Sequence, residues 1–403
     1  MSILKRIQNL FTTKKRSFLD YATGQLRSQS GSGIIVSENT AMTYSAVWQA
    51  CRILSESVAQ LPMYVCEKEK NGDKIIRSDH AMYKLVHDEP NPYMTQFNWT
   101  QKCMYDLCVN GNSYVQIIRN QQGKPVELMP LDHQNITIKI LEGIIYYSDA
   151  GTGQTIDMFD MLHFKTMSKD GIVGLSPIDT LANTISNGLG LLEYSNSYFR
   201  NGAKVSGVLQ TDASLSQESV DRLRNSFNMN YSSIGDSNKT LVLEEGLKFN
   251  AISLSNEASQ FLSSREFSIA EIARCFSLPP HLLRDLSKSS FNNIQEQSRE
   301  FVQFSLMPYI RIFETELTRK LFSNGEKGKL FIEINTNSLL RGNPQERAEY
   351  YRTMLNIGAL SVNEIRRKEN MNSVDEGDNL FMQMNMTTLK NITESKNEDD
   401  AIN

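Results

Sequence analysis

Residues 174–200 read GLSPIDTLANTISNGLGLLEYSNSYFR, and the fold turns on them. Ser176 followed by Pro177 is a helix start: a hydroxyl that caps the first amides, then a proline where its missing N–H costs nothing. The pattern predicts one helix from Pro177 to about Arg200, roughly 24 residues and ~36 Å long. Ile178, Leu181, Ile185, Leu189, Leu191, Leu192, Tyr194 and Phe199 fall almost all round it, and only Asp179, Glu193 and Arg200 carry charge. A long helix with so little polar face needs cover on several sides. That cover comes from its own chain or from adjacent subunits.

Downstream, residues 202–256 read as a small α/β unit. VSGVLQT is a strand, SQESVDRLRNSFNMNY a helix, and KTLVLEEGLKFNAIS a hairpin turning at Glu245-Gly246. Residues 257–278 form a second long helix, with Phe261, Leu262, Ile269, Ile272, Ala273 and Phe276 at helical spacing, stopped by Pro279-Pro280. A polar loop over 279–293 precedes the longest helical pattern, Ile294–Phe322. Pro308 inside that pattern predicts a kink. LFIEINT then reads as a strand. Pro344 and the Ser361–Glu364 capping box open two short helices.

Upstream, residues 41–175 alternate helix and strand. Val47, Trp48, Cys51, Leu54, Val58 and Leu61 make a helical stripe ended by Pro62. Hairpins follow, turning at Asn71-Gly72, in NQQGK and at Gly143, and Thr95 caps the helix running to Gly111. Residues 1–40 read as a flexible arm in which Ile3, Leu4, Ile7, Leu10 and Phe11 recur at helical spacing among basic residues. Its small apolar face suits docking on a neighbouring subunit better than lying on a membrane. Residues 388–403 read as a disordered acidic tail. The fold class is therefore mixed α+β.

The 403 residues carry 42 Lys+Arg against 46 Asp+Glu, a net charge of −4. That argues against a protein that grips DNA by neutralising phosphates. No apolar run reaches the roughly 18 residues of a membrane span, so no stable membrane association is expected. Cys51, Cys66, Cys103, Cys108 and Cys275 form no CxxC pair and read as buried thiols of a reducing compartment.

Asp157, Asp160 and His163 come nearest to a metal cluster and carry the alternative reading, a metal-dependent nuclease or phosphoesterase. The strand alternation of MLHFK sets Asp160 and His163 on opposite faces and weakens it. GLSPI lacks the second glycine of a nucleophile elbow, and GTGQT lacks the lysine of a phosphate loop. Glu244 and Glu245 read as a solvated turn. No catalytic machinery, metal or cofactor is expected.

Taken in order, several blocks resemble the portal (head–tail connector) proteins of tailed bacteriophages, in the short siphophage form. These are SAVWQACRILSESVAQLPMYV, HDEPNPYMT, VNGNSYVQIIRNQQGKPVELMPL, MLHFKTMSKDGIVGLSPI, YFRNGAKVSGVL, the run from LEEGLKFN to LPPHLL, FNNIQEQSREFVQFSLMPYIRIFETELTRKLF and ERAEYYRTMLNIGALSVNEIRRKENM. They cover roughly residues 40–380. Arg284 replaces a glycine that often follows the PPxLL run.

The resemblance implies a non-enzymatic ring homo-oligomer, usually a dodecamer, at one capsid vertex of the virion, assembled in the bacterial cytoplasm. It would be a channel for DNA packaging and ejection and a docking site for terminase. Its parts would be a β-rich wing (41–175), stem helices (176–201 and 257–278), an α/β clip (202–256), a tunnel loop (279–293), a long helix with a wing strand (294–342) and a helical crown (343–387). The terminase large subunit and the head–tail adaptor would dock on the clip, with Gln217, Arg222, Arg224, Glu244 and Glu245 as candidate contacts. Lys288, Ser289, Ser290, Phe291 and Asn292 of the tunnel loop would face double-stranded DNA passing non-specifically. The major capsid or scaffold protein would be the remaining partner.

Overall fold

The computed structural model describes residues 28–29, 33–69, 73–141, 143–200, 207–211, 216–231, 248–251, 255–283, 299–336, 344–369 and 371–381. The chain divides into two compact units, Met1–Asn335 and Thr336–Asn403.

The first unit opens with β1 (Ser28–Gln29) paired antiparallel with β2 (Ile35–Val36). Helix α1 (Glu38–Met42) starts at a capping box in which Ser37 and Thr40 exchange hydrogen bonds. Helix α2 (Ser45–Ala59) buries the predicted stripe of Val47, Cys51, Leu54 and Val58, while Trp48 stays exposed. Strands β3 (Met63–Lys68) and β4 (Lys74–Ile76) are antiparallel neighbours, as the hairpin reading requires, although the turn at Asn71-Gly72 lies outside the described residues. Helix α3 (Ala81–His87) and helix α4 (Gln96–Val109) follow, the latter capped by Thr95. Next come β5 (Asn112–Arg119) with β6 (Pro125–Pro130), then β7 (Ile136–Leu141), β8 (Ile144–Asp149) and β9 (Thr155–Asp157), and finally β10 (Met161–Lys165).

Helix α5 (Pro177–Thr180) and helix α6 (Ala182–Arg200) replace the single helix expected there. Ser176 caps α5 and Pro177 stands in its first turn, as predicted. The break falls at Leu181, whose φ of −90° and ψ of 3° leave the helical range while its side chain is buried. Apolar periodicity continues through such a joint, so the pattern cannot reveal it. Strand β11 (Gly207–Gln210), helix α7 (Gln217–Tyr231), strand β12 (Lys248–Ala251) and helix α8 (Ser255–Cys275) follow, with β11 antiparallel to β12. The expected hairpin turn at Glu245-Gly246 lies outside the described residues.

The long helical pattern around Pro308 resolves into a π-helical stretch, Phe301–Leu306, leading into α9 (Met307–Leu321). The Met307 amide bonds to the Val302 carbonyl, one residue farther back than in an α-helix. Pro308 has no N–H to offer, and the widened turn immediately precedes it. Strand β13 (Leu330–Ile334) then returns to pair with β3, giving the sheet order β13-β3-β4 beside β10-β5-β6 and β7-β8-β9.

The core of this unit is aromatic and long-range. Trp99 of α4, Phe164 of β10 and Phe313 of α9 are each almost wholly buried. Their ring centroids lie 6.1, 6.3 and 4.4 Å apart. Edge-on and tilted rings at such spacing add ~1 kcal/mol per pair beyond burial itself. The second unit contains α10 (Pro344–Asn356) and α11 (Val362–Lys368), opened by the predicted proline and the predicted Ser361–Glu364 capping box. There Asn363 receives Val374 N–H on its side-chain oxygen at 2.8 Å, and it donates to the Val374 carbonyl at 3.0 Å.

Candidate functional site

The long helix starts where two backbones cross. Gly111 ends α4 with a φ of +77°, and a Cβ there would stand 2.0 Å from the Leu175 carbonyl oxygen. A Cβ on Gly174 would stand 2.1 Å from the Gly111 carbonyl oxygen. Asn112 locks the crossing: its Oδ1 accepts from Gly174 N at 2.7 Å and its Nδ2 donates to the Gly174 carbonyl at 3.0 Å. Ser176 accepts from Asp179 N at 3.1 Å while its own hydroxyl donates to the Val109 carbonyl at 2.8 Å. The cap of α5, which leads into α6, is thereby tied to the end of α4. Nearly two turns into α6, Gly188 lets the Tyr44 ring lie against the helix backbone: a Cβ there would meet ring carbons at 2.7 Å.

Helix α8 packs on α6 and ends in a Schellman motif. Ser277 takes the left-handed conformation at φ 53°, Leu278 N–H bonds to the Ala273 carbonyl at 2.8 Å, and Ser277 N–H to that of Arg274 at 3.1 Å. Ser305, inside the π-helical stretch, donates to the Ser277 carbonyl. The end of α8 is thus fastened to the approach of α9 across the intervening loop. These helices expose large aromatic side chains: Tyr194 at 56%, Phe267 at 64% and Phe304 at 63%.

Gln217 and Arg222 are exposed on α7, where Arg222 donates to Ser219 Oγ at 3.4 Å. The Arg224 side chain, Glu244, Glu245 and Lys288, Ser289, Ser290, Phe291 and Asn292 lie outside the described residues. Asp157, Asp160 and His163 are described and are not brought together. Asp157 caps a short 3-10 turn through Phe159 N at 2.8 Å, and Asp160 pairs with Arg119 at 2.7 Å. His163 is buried between the Tyr147 hydroxyl on Nδ1, at 3.2 Å, and Asn112 Oδ1 on Nε2, at 3.1 Å. An amide oxygen only accepts, so Nε2 carries the proton and Nδ1 accepts from the tyrosine. Burial, with Lys165, Arg319 and Lys320 nearby, holds this imidazole neutral, its pKa well below the ordinary 6.5. Among the described residues no group of three or more His, Cys, Asp or Glu is placed to hold a metal ion. Among them, too, no helix is long and apolar enough to cross a membrane.

One charged network escaped the sequence reading. Asp106, fully buried on α4, takes both Lys102 Nζ contacts, at 2.6 and 2.7 Å, and His133 Nδ1 at 3.1 Å. His133 Nε2 reaches Glu38 Oε2 at 3.1 Å, and Tyr105 and Gln134 each donate to Glu38 at 2.9 Å. Burial disfavours the imidazolium, but its bonds to Asp106 and Glu38 and the charge of both carboxylates outweigh that and raise His133 to about 9. The hydrogen bond from His133, against the opposing effect of burial, lowers Glu38 to about 2. The stability that His133 contributes is complete below its ordinary 6.5 and is lost as the pH rises through about 9. That from Glu38 is complete above 4.5 and is lost as the pH falls through about 2. Both are therefore present between about pH 4.5 and 6.5. In thermal melts across pH 5 to 9.5, the native chain is expected to lose its advantage over His133→Gln on the alkaline side. Parallel profiles for the two would remove the imidazolium from this network.

The chain is similar to known proteins. A family model described as "Phage portal protein" matches residues 45–370. The portal protein of Enterobacteria phage HK97 is 29% identical over 369 residues, spanning 90% of this chain and 86% of that protein. The probable portal protein of Streptomyces phage phiC31 is 30% identical over 370 residues, spanning 87% and 80%. Among solved structures, a chain from the neck of a native gene transfer agent particle, computed with C12 symmetry, superimposes with a TM-score of 0.54 at 19% identity. The match covers 88% of this chain and 99% of that one.

Proposed function

The chain belongs to the phage portal protein family, and from that premise we propose that it forms the ring at one capsid vertex through which DNA is packaged and ejected. The observation that carries this reading is the extent of the family match, which takes in the body, the long helices and the short helices after β13. The twelve-fold neck that contains a chain of this fold supports a dodecamer.

The physical character of the chain suits a conduit. A duplex must slide past the wall without being held, and a basic sleeve would bind it by counterion release. Twelve chains at −4 each carry a net charge of about −48, which lowers adhesion to phosphate. In this reading residues 176–201 and 257–278 are the stem, and 202–256 form the clip where the terminase large subunit and the head–tail adaptor dock. Residues 279–293 supply the tunnel loop at the constriction, 343–387 the crown facing the capsid interior. Lys288 and its neighbours make weak, reversible phosphate contacts. The ring does no chemistry of its own, and the packaging ATPase belongs to its partner. It assembles in the host cytoplasm with capsid or scaffold protein.

Mass photometry with negative-stain imaging of the purified chain tests the proposal. Annular particles of about 550 kDa are expected from twelve subunits of 45.8 kDa. Compact non-annular particles at every salt concentration, with and without scaffold protein, would overturn it.

A further inference from the structure

Helix α6 leaves the body of the chain at two glycines. Ala182, Ile185, Ser186 and Gly188 are buried, whereas from Leu189 onward every described side chain of the helix is half-buried or exposed. The two glycines differ in what surrounds them. At Gly188 a Cβ would stand 2.7 Å from two carbons of the Tyr44 ring, so the close approach demands glycine. At Gly190 the nearest atom to a Cβ would be Ile34 Cδ1 at 3.6 Å, an ordinary van der Waals contact. Packing within the subunit leaves room for alanine at 190, and glycine there only weakens the helix.

Helix α8 carries a matching weak point where it enters the body. Ser264, Arg265, Glu266 and Phe267 are exposed, and Ser268 is the first buried side chain among the described ones of this helix. Ser268 Oγ donates to the Ser264 carbonyl at 3.0 Å, a bond back along the helix that competes with the backbone ladder and favours bending. Tyr44 sets the two weak points at one level. Its ring lies against Gly188 of α6, and burial pushes its phenol up while the charge of Arg265 on α8 opposes that push. Beyond this level the two helices carry residues 201–254 between them.

We propose that Gly188–Gly190 of α6 and Ser264–Ser268 of α8 form a hinge about which the paired helices swing against the body, with the Tyr44 ring as the fulcrum. Sharp helix bends gather at such glycine and serine positions. The body side of the hinge is fixed: Ser176 is tied to the Val109 carbonyl, and Ile272, Ala273 and Phe276 are buried. The far side lacks such cover, so bending there opens few apolar contacts and belongs to the low-cost end of local motions. The hinge belongs to a single subunit and stands apart from the portal reading. On that reading it lets the segment 202–256 shift while the wing stays still.

Double electron–electron resonance tests it, with spin labels at Asn98→Cys on α4 and Ser197→Cys on α6. Cys275→Ser removes the exposed thiol, and the other four cysteines are buried. Co-expression with an excess of full-length chain lacking the two label sites and Cys275 keeps the spins of neighbouring copies apart. The native sequence is expected to give a broad distance distribution. Gly190→Ala combined with Ser268→Ala should roughly halve its width, and Gly190→Ala alone should narrow it part-way. Amide exchange across residues 189–196 should slow about fivefold in the same variants, with melting no lower than native. An unchanged width in the double variant would overturn the proposal. So would melting below the native chain, which would mean that packing demands the glycine. Loss of assembly with the width unchanged would assign Gly190 to a subunit contact and overturn the hinge as well.

Discussion

Gly111→Ala is expected to leave little soluble, folded protein. Two separate penalties meet at that position. A φ of +77° costs an L-residue about 1–2 kcal/mol. The added Cβ would also sit 2.0 Å from the Leu175 carbonyl oxygen and 2.6 Å from its carbon, backbone atoms that cannot swing aside. Gly174→Ala brings the second penalty from the other side of the crossing, 2.1 Å from the Gly111 oxygen. Gly171 supplies the internal control: its φ is +76°, yet nothing lies within 4 Å of its would-be Cβ. Gly171→Ala should therefore lose only the backbone penalty. Gly111→Ala should lose well over 4 kcal/mol and melt at least ~10 °C below it, if it is recovered at all. Melting of purified variants by circular dichroism decides the matter. Equal melting temperatures for Gly111→Ala and Gly171→Ala would mean that the crossing relaxes and does not fix the start of the long helix.

The features that were legible in the sequence are those written locally. Thr95, Ser176 and Ser361 cap helices within three residues of themselves, and all three do so in the structure. The strands either side of NQQGK and Gly143 likewise pair as read. The glycine crossing was not legible, because Gly111 and Gly174 stand in separate motifs and nothing in either names the other. The aromatic core of Trp99, Phe164 and Phe313 is spread in the same way, over three elements that each show only an ordinary apolar position. The Glu38–His133–Asp106 network is the sharpest case. Its members have no shared spacing, and a buried Asp106 is tolerable only because Lys102 and His133 complete it. Residue types at suggestive spacing need not meet in function: Asp157, Asp160 and His163 are close in sequence but are occupied in a turn cap, an ion pair and a buried hydrogen-bond chain.

The same contrast holds at the approach to α9. Proline at position 308 signals a lost hydrogen bond but not where the slack is taken up. The structure takes it up in the π-helical stretch one turn earlier, where Ser305 also reaches the Ser277 carbonyl. A residue in the left-handed conformation, a widened turn and a proline thus flank the loop that the proposed function places at the channel constriction. The described segments on either side of that loop are joined directly, Ser305 to the Ser277 carbonyl.

Phe267→Asp is expected to convert rings into single subunits. Phe267 is 64% exposed on a helix whose Ser268, Ile272, Ala273 and Phe276 are buried against the same subunit, so its own chain gives it little cover. Phe304, 63% exposed, is a second bare aromatic of the same long-helix region. A buried aromatic anchor at a subunit interface contributes ~2–4 kcal/mol, and a carboxylate in its place must also be desolvated. In a closed ring each subunit makes this contact with its neighbours, so the loss recurs at every interface. Within one subunit an exposed position is worth less than about 0.5 kcal/mol, and the melting temperature of the isolated chain should hardly move. Mass photometry of Phe267→Asp is expected to show a species near 45.8 kDa with native circular dichroism, where the unaltered chain is expected to give particles of about 550 kDa. Phe267→Tyr, which keeps the ring and its area, should restore assembly. Intact annuli from Phe267→Asp would place this helix face on the channel or the outer surface, and the cover for the long helices would then have to come from the α6 side, around Tyr194.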